Sequence, residues 1–289
     1  MKRRKAMSGL FNAMDITQAL DGWAFEPGQI NVRLICGNDG NIKLQLRLDL
    51  GVLQMEVTGR PDGKRPHRAA TELDYQKRKL RKHQKKFGND EGFQLSPRDC
   101  QTLREESVMF YHRYLSLFVL EQFQAVVRDT QHNIELLDFC HRYGSSEHDR
   151  DCMEQHRAYV LMMNTRAKAC AALRQGYTQT AIAYLQGGIE RIAELLPKEE
   201  EEGMGECGGR QEVLKQSGEA MILAEMLEQV RTKLPTHPRM VLQKQLSDAV
   251  AHERFEEAAK LRDRLAAMNV LKMAEGGGTP AKRPRKNKH

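Results

Sequence analysis

Apolar and polar residues alternate strictly along much of residues 29–60. A period of two places the apolar side chains on one face of a β-strand and the polar side chains on the other. Turn-forming residues interrupt the alternation at 37–40 and at Gly51, which predicts a three-stranded antiparallel meander. Its apolar face must be covered by helices. The apolar positions of the pattern are Ile30, Val32, Leu34, Ile42, Leu44, Leu46, Leu48, Leu50, Leu53, Met55 and Val57.

Helical periodicity replaces the alternation after the turn cluster at 59–63. It predicts a helix over 73–86, which the glycine-containing stretch 88–92 ends. The next helix is expected to begin at Ser96, because Pro97 suits the first helical position and Asp99 can reach back to the cap.

The helical pattern that starts at Cys100 continues to Tyr143. Its middle is apolar around much of the circumference, which is typical of a helix buried on more than one side. The pair 129–130 is a candidate break within it. We expect the next two helices at 154–175 and 178–196, separated by Gly176.

Residues 172–189 resemble the second half of a tetratricopeptide repeat. The string Ala172-Leu173-Arg174-Gln175-Gly176-Tyr177 carries the resemblance, and Thr178 departs from it because that repeat usually has an aromatic residue there. Stable arrays need several copies, and no second copy is evident. We interpret the segment as one repeat-like hairpin within a larger helical domain.

Together these patterns predict an α+β fold that is mostly α-helical, with the small meander packed on a helical domain. The run of glutamates and glycines after residue 197 is typical of a linker, and a further helix is expected at 211–234. The predicted organisation is an N-terminal lead and meander at 1–66, a basic linker or helix at 67–95, a helical domain at 96–197, a linker at 198–210, a helix plus a helical hairpin at 211–271 and a disordered basic tail at 272–289.

The chain has 289 residues, of which 29% are charged and 40% are hydrophobic, as in a globular protein with a core. Its six cysteines are scattered without a C-x-x-C pair, which favours a reduced cytoplasmic setting. No apolar core follows the basic N-terminal residues, so we expect no signal peptide. The most apolar run, 108–127, contains His112, Arg113 and Glu121 and is too polar to span a membrane.

The formal net charge of +7 is unevenly distributed, with basic clusters at 76–86 and 282–289. Such clusters attract polyanions, although they also occur as solvated surface or disordered arms. The tail also has the composition of a nuclear localisation string. The candidate nucleic-acid contacts are Lys77, Arg78, Lys79, Arg81, Lys82, Lys85 and Lys86.

Residues 241–268 carry two short apolar patterns at helical spacing that meet near 252–254. This spacing leaves room only for a tight antiparallel helical hairpin, with Pro238 suited to the first turn. Ala249, Ala258 and Ala259 are small enough for the two backbones to approach closely. Because so short a hairpin cannot bury its own apolar faces, it must pack on its own chain, on a second copy or on a partner.

The hairpin resembles the UVR motif of UvrB, UvrC and some proteins associated with Clp proteases. The matching residues are Leu242, Leu246, Ala249, Val250, Glu253, Phe255, Glu256, Ala258, Ala259, Leu261, Arg262, Asp263 and Leu265. More loosely, the order of sheet, helical middle and terminal hairpin resembles uncharacterised bacterial proteins described only as containing a UvrB/UvrC motif. The resemblance implies pairing with a partner's hairpin or with a second copy of the chain.

Within this hairpin the predicted anchors are Leu246, Phe255, Leu261 and Leu265, and Glu256 and Arg262 are expected to set the register. The predicted partner-binding set is Leu242, Leu246, Val250, Glu253, Phe255, Glu256, Ala258, Ala259, Leu261, Arg262 and Leu265. The partner could belong to the excision-repair machinery or to a Clp-type protease complex, and the sequence does not choose between them.

No nucleotide-binding or catalytic motif accompanies the hairpin. The chain has no G-x-x-x-x-G-K-[ST], H-E-x-x-H or G-x-S-x-G sequence, and it lacks the paired C-x-x-C motifs of the zinc-binding Clp-associated proteins. We therefore expect no enzymatic activity and no cofactor. His148, Cys152 and His156 share one face if 148–156 is helical, but a zinc site needs four converging ligands, so no metal is expected.

Two interpretations follow from the sequence. The first is a noncatalytic adaptor that binds another protein through the hairpin. The second is an accessory factor that binds nucleic acid through the basic segments 77–86 and 282–289. An enzyme of unrecognised type is the remaining alternative, and it would need a pocket with perturbed titratable groups.

Overall fold

The computed structural model describes residues 16–196, 217–232, 246, 254 and 260–262. The chain divides into two compact units, Met1–Val230 and Arg231–His289. The predicted linker at 198–210 and the predicted basic tail at 272–289 lie outside the described residues. No helix among the described residues is long and apolar enough to cross a bilayer.

The predicted meander is present near the N-terminus. Strands β1 (Asn31–Cys36), β2 (Ile42–Leu48) and β3 (Gly51–Glu56) form one antiparallel sheet in the order β1-β2-β3. In the register, Leu34 lies opposite Leu44, which lies opposite Met55. The sequence pattern therefore predicted the strands. The predicted apolar face is covered only in part: Leu50 lies in the turn after β2 and is 92% exposed, and Ile30, Leu34, Ile42 and Leu48 are exposed as well.

The polar face of this sheet is covered at its central strand. Lys43 and Gln45, in the central strand, are only 7% and 5% exposed. Gln45 accepts a hydrogen bond from Arg33 in β1 and donates one to Gln54 in β3. The Arg33 guanidinium stacks 4.0 Å from the ring centroid of Trp23, in the segment that follows the short helix α1 (Thr17–Leu20).

The described helices after the sheet follow the predicted helical periodicity. Ser96 and Asp99 form the predicted capping box, and Gly88 ends the second helix in a left-handed conformation. Two single-turn 3-10 segments accompany the helices, at Pro66–Arg68 and Glu154–His156. The helices are α2 (Glu72–Phe87), α3 (Pro97–Val119), α4 (Phe123–Tyr143), α5 (Glu147–Asp151), α6 (Arg157–Arg174), α7 (Thr178–Ala193) and α8 (Gly218–Thr232).

The long helical pattern of 100–143 breaks at a different place from the one that the sequence indicated. The candidate break at 129–130 is wrong, because Asp129 and Thr130 are buried in the middle of α4. The chain turns instead at 120–122, where Glu121 has a φ of 54°. Backbone N–H groups of Glu121 and Gln122 donate to the carbonyls of Phe118 and Leu117, which satisfies the end of α3.

Helices α3, α4, α6 and α7 pack side by side around a continuous apolar core that also contacts the sheet and α8. The core includes Leu44 and Met55 from the sheet and Leu223 and Leu227 from α8. Helices α6 and α7 form the predicted hairpin, and Gly176 takes a φ of 79° in its turn. The likeness of this hairpin to a tetratricopeptide repeat stays a prediction.

A fully buried ion pair ties the sheet to this helical layer. The Arg113 guanidinium donates to both carboxylate oxygens of Asp129, at 2.7 and 2.9 Å. It also donates to the carbonyl of Glu56 at the end of β3, and Arg128 donates to the carbonyl of Val57. These bonds satisfy both charges, which an apolar surrounding requires.

Candidate functional site

The basic segment of the sequence forms the outer side of α2. The helix is held to the body at its start, where the Glu106 carboxylate of α3 accepts hydrogen bonds from the backbone N–H groups of Glu72 and Leu73, at 2.7 and 3.1 Å. Leu73 and Gln76 are buried against the body. The cationic residues of α2 therefore lie on the side of the helix that faces away from the body.

The cations at the start of this run are already engaged. Lys77 pairs with Glu135 at 2.5 Å, and Lys79 pairs with Asp99 at 3.2 Å. Arg78 donates to the backbone carbonyl of His67. These three predicted nucleic-acid contacts therefore contribute to the attachment of α2 to its own chain.

The cations near the end of α2 are exposed and have no acidic partner among the described residues. They are Arg81, Lys82, Lys85 and Lys86. Arg81 and Lys85 are four positions apart along the helix, as are Lys82 and Lys86. Like charges at this spacing repel one another by a few tenths of a kcal/mol. Their position at the helix C-terminus offsets part of that cost, because the helix dipole favours cations there.

A loop that the sequence analysis did not single out lies beside this helix. The His67 ring stacks on Tyr75 of α2 with 3.9 Å between ring centroids. His67 and Arg68 both have positive φ, 50° and 59°, a conformation that costs non-glycine residues on the order of 1–2 kcal/mol each. Arg65 and Arg68 are exposed. The strained loop thus brings two further cations to the neighbourhood of α2.

We call Arg68, Arg78, Arg81, Lys82, Lys85 and Lys86 the basic face. The sequence run identified all of these residues except Arg68, because a loop separated from α2 in sequence gives no periodic signal. The aromatic pair His67–Tyr75 lies within this surface, and Lys79 and Arg78 approach the Tyr75 ring to 5.7 and 5.9 Å. Cations and flat rings side by side suit a nucleic-acid backbone and its bases.

The three residues considered for metal binding do not share one helical face. His148 is in α5, Cys152 caps the end of that helix, and His156 is in the following 3-10 turn. The Cys152 sulfur instead accepts from the Arg104 guanidinium at 3.3 Å. No group of three or more His, Cys, Asp or Glu side chains in the described part of the chain is arranged to hold a metal ion.

Most of the hairpin residues predicted to bind a partner lie outside the described residues: Leu242, Val250, Glu253, Phe255, Glu256, Ala258, Ala259 and Leu265. Leu246 and residues 260–262 are helical and Arg254 is not, which agrees with two helices joined near Arg254. Leu261 is only 6% exposed, whereas Lys260 and Arg262 are exposed. The Leu261 side chain is thus already covered within its own chain.

The comparison with protein families matches this same segment. Residues 241–269 match the family model of the UvrB/uvrC motif. No curated protein and no solved structure matches the chain. The match covers the predicted hairpin alone and does not extend to the rest of the chain.

Proposed function

We propose that this protein is a noncatalytic adaptor that binds another protein through its UVR motif. The observation that carries the proposal is the match of residues 241–269 to the UvrB/uvrC motif. That motif suggests protein–protein or repair-related interaction. The proposed occupant is a second hairpin of the same type, on a partner or on another copy of the chain, which together with this hairpin completes a four-helix bundle.

The described hairpin residues refine which side chains would make that contact. Leu261 is already buried in the chain, so its truncation would disturb the hairpin as well as an interface. Phe255 is the better anchor to test, because a large aromatic side chain typically dominates a hairpin interface. Lys260 is exposed and is absent from the predicted contact set, so it provides a matched control.

The test is affinity purification of the full chain from its native cell, compared with the Phe255→Ala variant and the Lys260→Ala variant. We expect Phe255→Ala to release the bound hairpin protein, or the second copy, with a loss of at least about tenfold in affinity. Lys260→Ala should retain it. Retention of the same bound proteins by Phe255→Ala and by a chain lacking residues 236–289 would rule out the adaptor function.

The second candidate is nucleic-acid binding through the basic face. It is favoured by the four exposed cations at the end of α2 that have no acidic partner in the described part of the chain. Phosphate contacts by such cations release counterions, so affinity should fall steeply as salt rises. This activity would accompany partner binding, because the basic face and the motif are different parts of the chain.

Duplex DNA binding measured by fluorescence anisotropy at 50–200 mM salt tests this candidate. The substitution Lys85→Glu, which reverses the charge at this position, should reduce the slope of log affinity against log salt by about 1 or more. Arg191→Glu changes an exposed cation on α7 and is the matched control, with the slope expected to stay unchanged. Undetectable binding at 50 mM salt, or equal effects of the two substitutions, would exclude the basic face as the binding surface.

A further inference from the structure

A cavity of about 510 Å³ opens between α3, α4, the start of α6 and the start of α8. Part of its lining is apolar and buried, since Leu137, Met153 and Val160 are each less than 10% exposed. The volume falls within the range of ligand pockets, roughly 300–1,000 Å³. Neither proposed function uses this cavity.

Three tyrosines line one side of the cavity. The Tyr111 ring lies 5.6 Å from that of Tyr114, nearly perpendicular to it, and 6.2 Å from that of Tyr159. Burial, together with the neighbouring phenols, raises the pKa of Tyr114, so its hydroxyl stays neutral. Neutral aromatic rings set at steep angles present electron-rich faces, which attract cations.

The polar lining offers hydrogen-bond acceptors. Asn133 is 4% exposed, and its Oδ1 has no hydrogen-bond partner in the described part of the chain, although its Nδ2 donates to the Ser107 carbonyl. The Ser107 hydroxyl donates to the carbonyl of Arg104, which leaves its oxygen lone pairs to accept. A buried acceptor without a donor is costly, on the order of 1–3 kcal/mol, and a ligand N–H would satisfy it.

The formal charge of the lining is negative. Glu219, in the first turn of α8, is half-buried and accepts a hydrogen bond from the Ser217 hydroxyl at 3.1 Å. No lysine or arginine among the described residues lines the cavity. Burial lowers the pKa of His112, which keeps that ring neutral at pH 7. The Arg166 guanidinium, which lies near Tyr159, stacks over Phe118 instead. Among the described residues, an anionic ligand would find no lysine or arginine in the lining, and the exposed ring of His156 is the other imidazole there.

We propose that this cavity binds a small organic ammonium ion with an apolar body. The ammonium group would lie against the tyrosine faces, donate to Asn133 Oδ1 and pair with Glu219, while the apolar body covers Leu137, Met153 and Val160. Three independent features select the same ligand class: the aromatic rings, the unpaired Asn133 Oδ1 and a single carboxylate.

Isothermal titration of the full chain tests this with 2-phenylethylamine, which is protonated at pH 7, and 2-phenylethanol, which has the same shape without the charge. The amine should bind at one site, and the alcohol should bind at least about tenfold more weakly, because a desolvated cation gains from both the rings and the carboxylate. Equal affinities for the two probes, or no amine binding at millimolar concentration, would overturn the proposal.

Two variants, each with a control variant, assign the site. Glu219→Gln should weaken amine binding by about tenfold, whereas Glu228→Gln, on the exposed side of the same helix, should leave it unchanged. Tyr111→Leu should weaken it further, and Tyr184→Leu, an exposed tyrosine on α7, should not. Amine affinity that stays unchanged in Glu219→Gln and Tyr111→Leu, while both variants unfold at the wild-type temperature, would place any binding elsewhere and refute this site.

Discussion

Arg113 and Asp129 are fully buried and paired with each other, and the Asp129 carboxylate also accepts from the exposed Arg128 at 2.8 Å. Removing the Asp129 carboxylate leaves the buried positive charge of Arg113 without its acidic partner. We therefore expect Asp129→Ala to lower the free energy of unfolding by about 3–5 kcal/mol. Urea denaturation followed by circular dichroism measures this change.

The double variant Arg113→Met/Asp129→Leu is the control for that loss. It removes both charges and fills the space with apolar side chains, so it should be less destabilised than Asp129→Ala. Arg113 also donates to the Glu56 carbonyl, and that acceptor loses its donor in the double variant. A double variant as unstable as the single one would show that the sheet contact, rather than the buried charge, dominates.

Glu106 predicts a pH dependence of stability. Burial alone would raise the pKa of this carboxyl, but the hydrogen bonds with His132 and with the N–H groups of Glu72 and Leu73 hold it below its usual value. A lowered pKa in the folded state contributes stability above the usual glutamate pKa of about 4.3, and that stability is lost as pH falls through the folded pKa.

Glu106→Gln tests this dependence. At pH 7 the variant should unfold about 1.5–3 kcal/mol more easily, because a neutral amide replaces a carboxylate that accepts two backbone N–H groups. The difference from the wild-type chain should shrink as pH is lowered from 5 toward 3 in thermal melts. A difference that stays constant over this range would mean that the ionised form of Glu106 does not stabilise α2.

At the residue scale, contacts between residues close in sequence could be predicted, and contacts between distant residues could not. The Ser96–Asp99 capping box was predictable because both partners are three positions apart and their roles depend only on the helix start. The Glu106 bonds to Glu72 and Leu73 join residues more than 30 positions apart. No periodicity indicates such a pair, so a buried cap supplied by another helix appears only once the helices are packed.

At the element scale, Gly188 determines how closely α6 and α7 pack. A Cβ atom at this position would overlap the side chain of buried Thr165, whereas one at Gly187 would meet nothing within 4 Å. Gly188→Ala should therefore destabilise the protein by about 1–3 kcal/mol through overpacking. Gly187→Ala should stabilise it by up to about 1 kcal/mol, because alanine favours the helix interior.

Chemical denaturation of the two alanine variants measures these opposite effects within one helix. Thr165→Ala in the Gly188→Ala background should restore part of the lost stability, since it removes the atoms that the new methyl group meets. If Gly188→Ala and Gly187→Ala change stability alike, the close contact between α6 and α7 is not what requires glycine at position 188.

Element boundaries were predictable where the chain carries a strong local signal. The strands follow from strict alternation, and Gly88 and Gly176 end their helices because their positive φ suits glycine. The turn at 120–122 has no glycine or proline, and Glu121 takes the left-handed conformation itself. The packing of α3 against α4 determines where the chain turns. Because the turn has no local sequence signal, the helical pattern predicted one continuous helix through it.

At the scale of the whole molecule, the core and the motif belong to different parts of the chain. The buried core cluster of the described residues runs from Leu44 to Val230 and includes no residue of the UVR match at 241–269. The candidate nucleic-acid contacts on α2 and the tyrosine-lined cavity are both built on this core. The UVR motif was recognised from sequence alone, because its residue order is specific. The cavity could not be recognised in this way, because it is lined by residues of several elements that are distant in sequence.

This separation predicts that the body folds without the motif. A chain ending at residue 235 keeps every member of the core cluster, so its unfolding free energy should match that of the full chain within about 1 kcal/mol, a difference equivalent to roughly 2–4 °C in melting temperature. Calorimetry of both chains measures this difference. The truncated chain should still bind DNA and the amine as expected of the full chain, but it should no longer bind the partner that carries the second hairpin. A large drop in melting temperature would show that residues 236–289 stabilise the body, and the motif would then be a structural part of the fold and not a separate docking element.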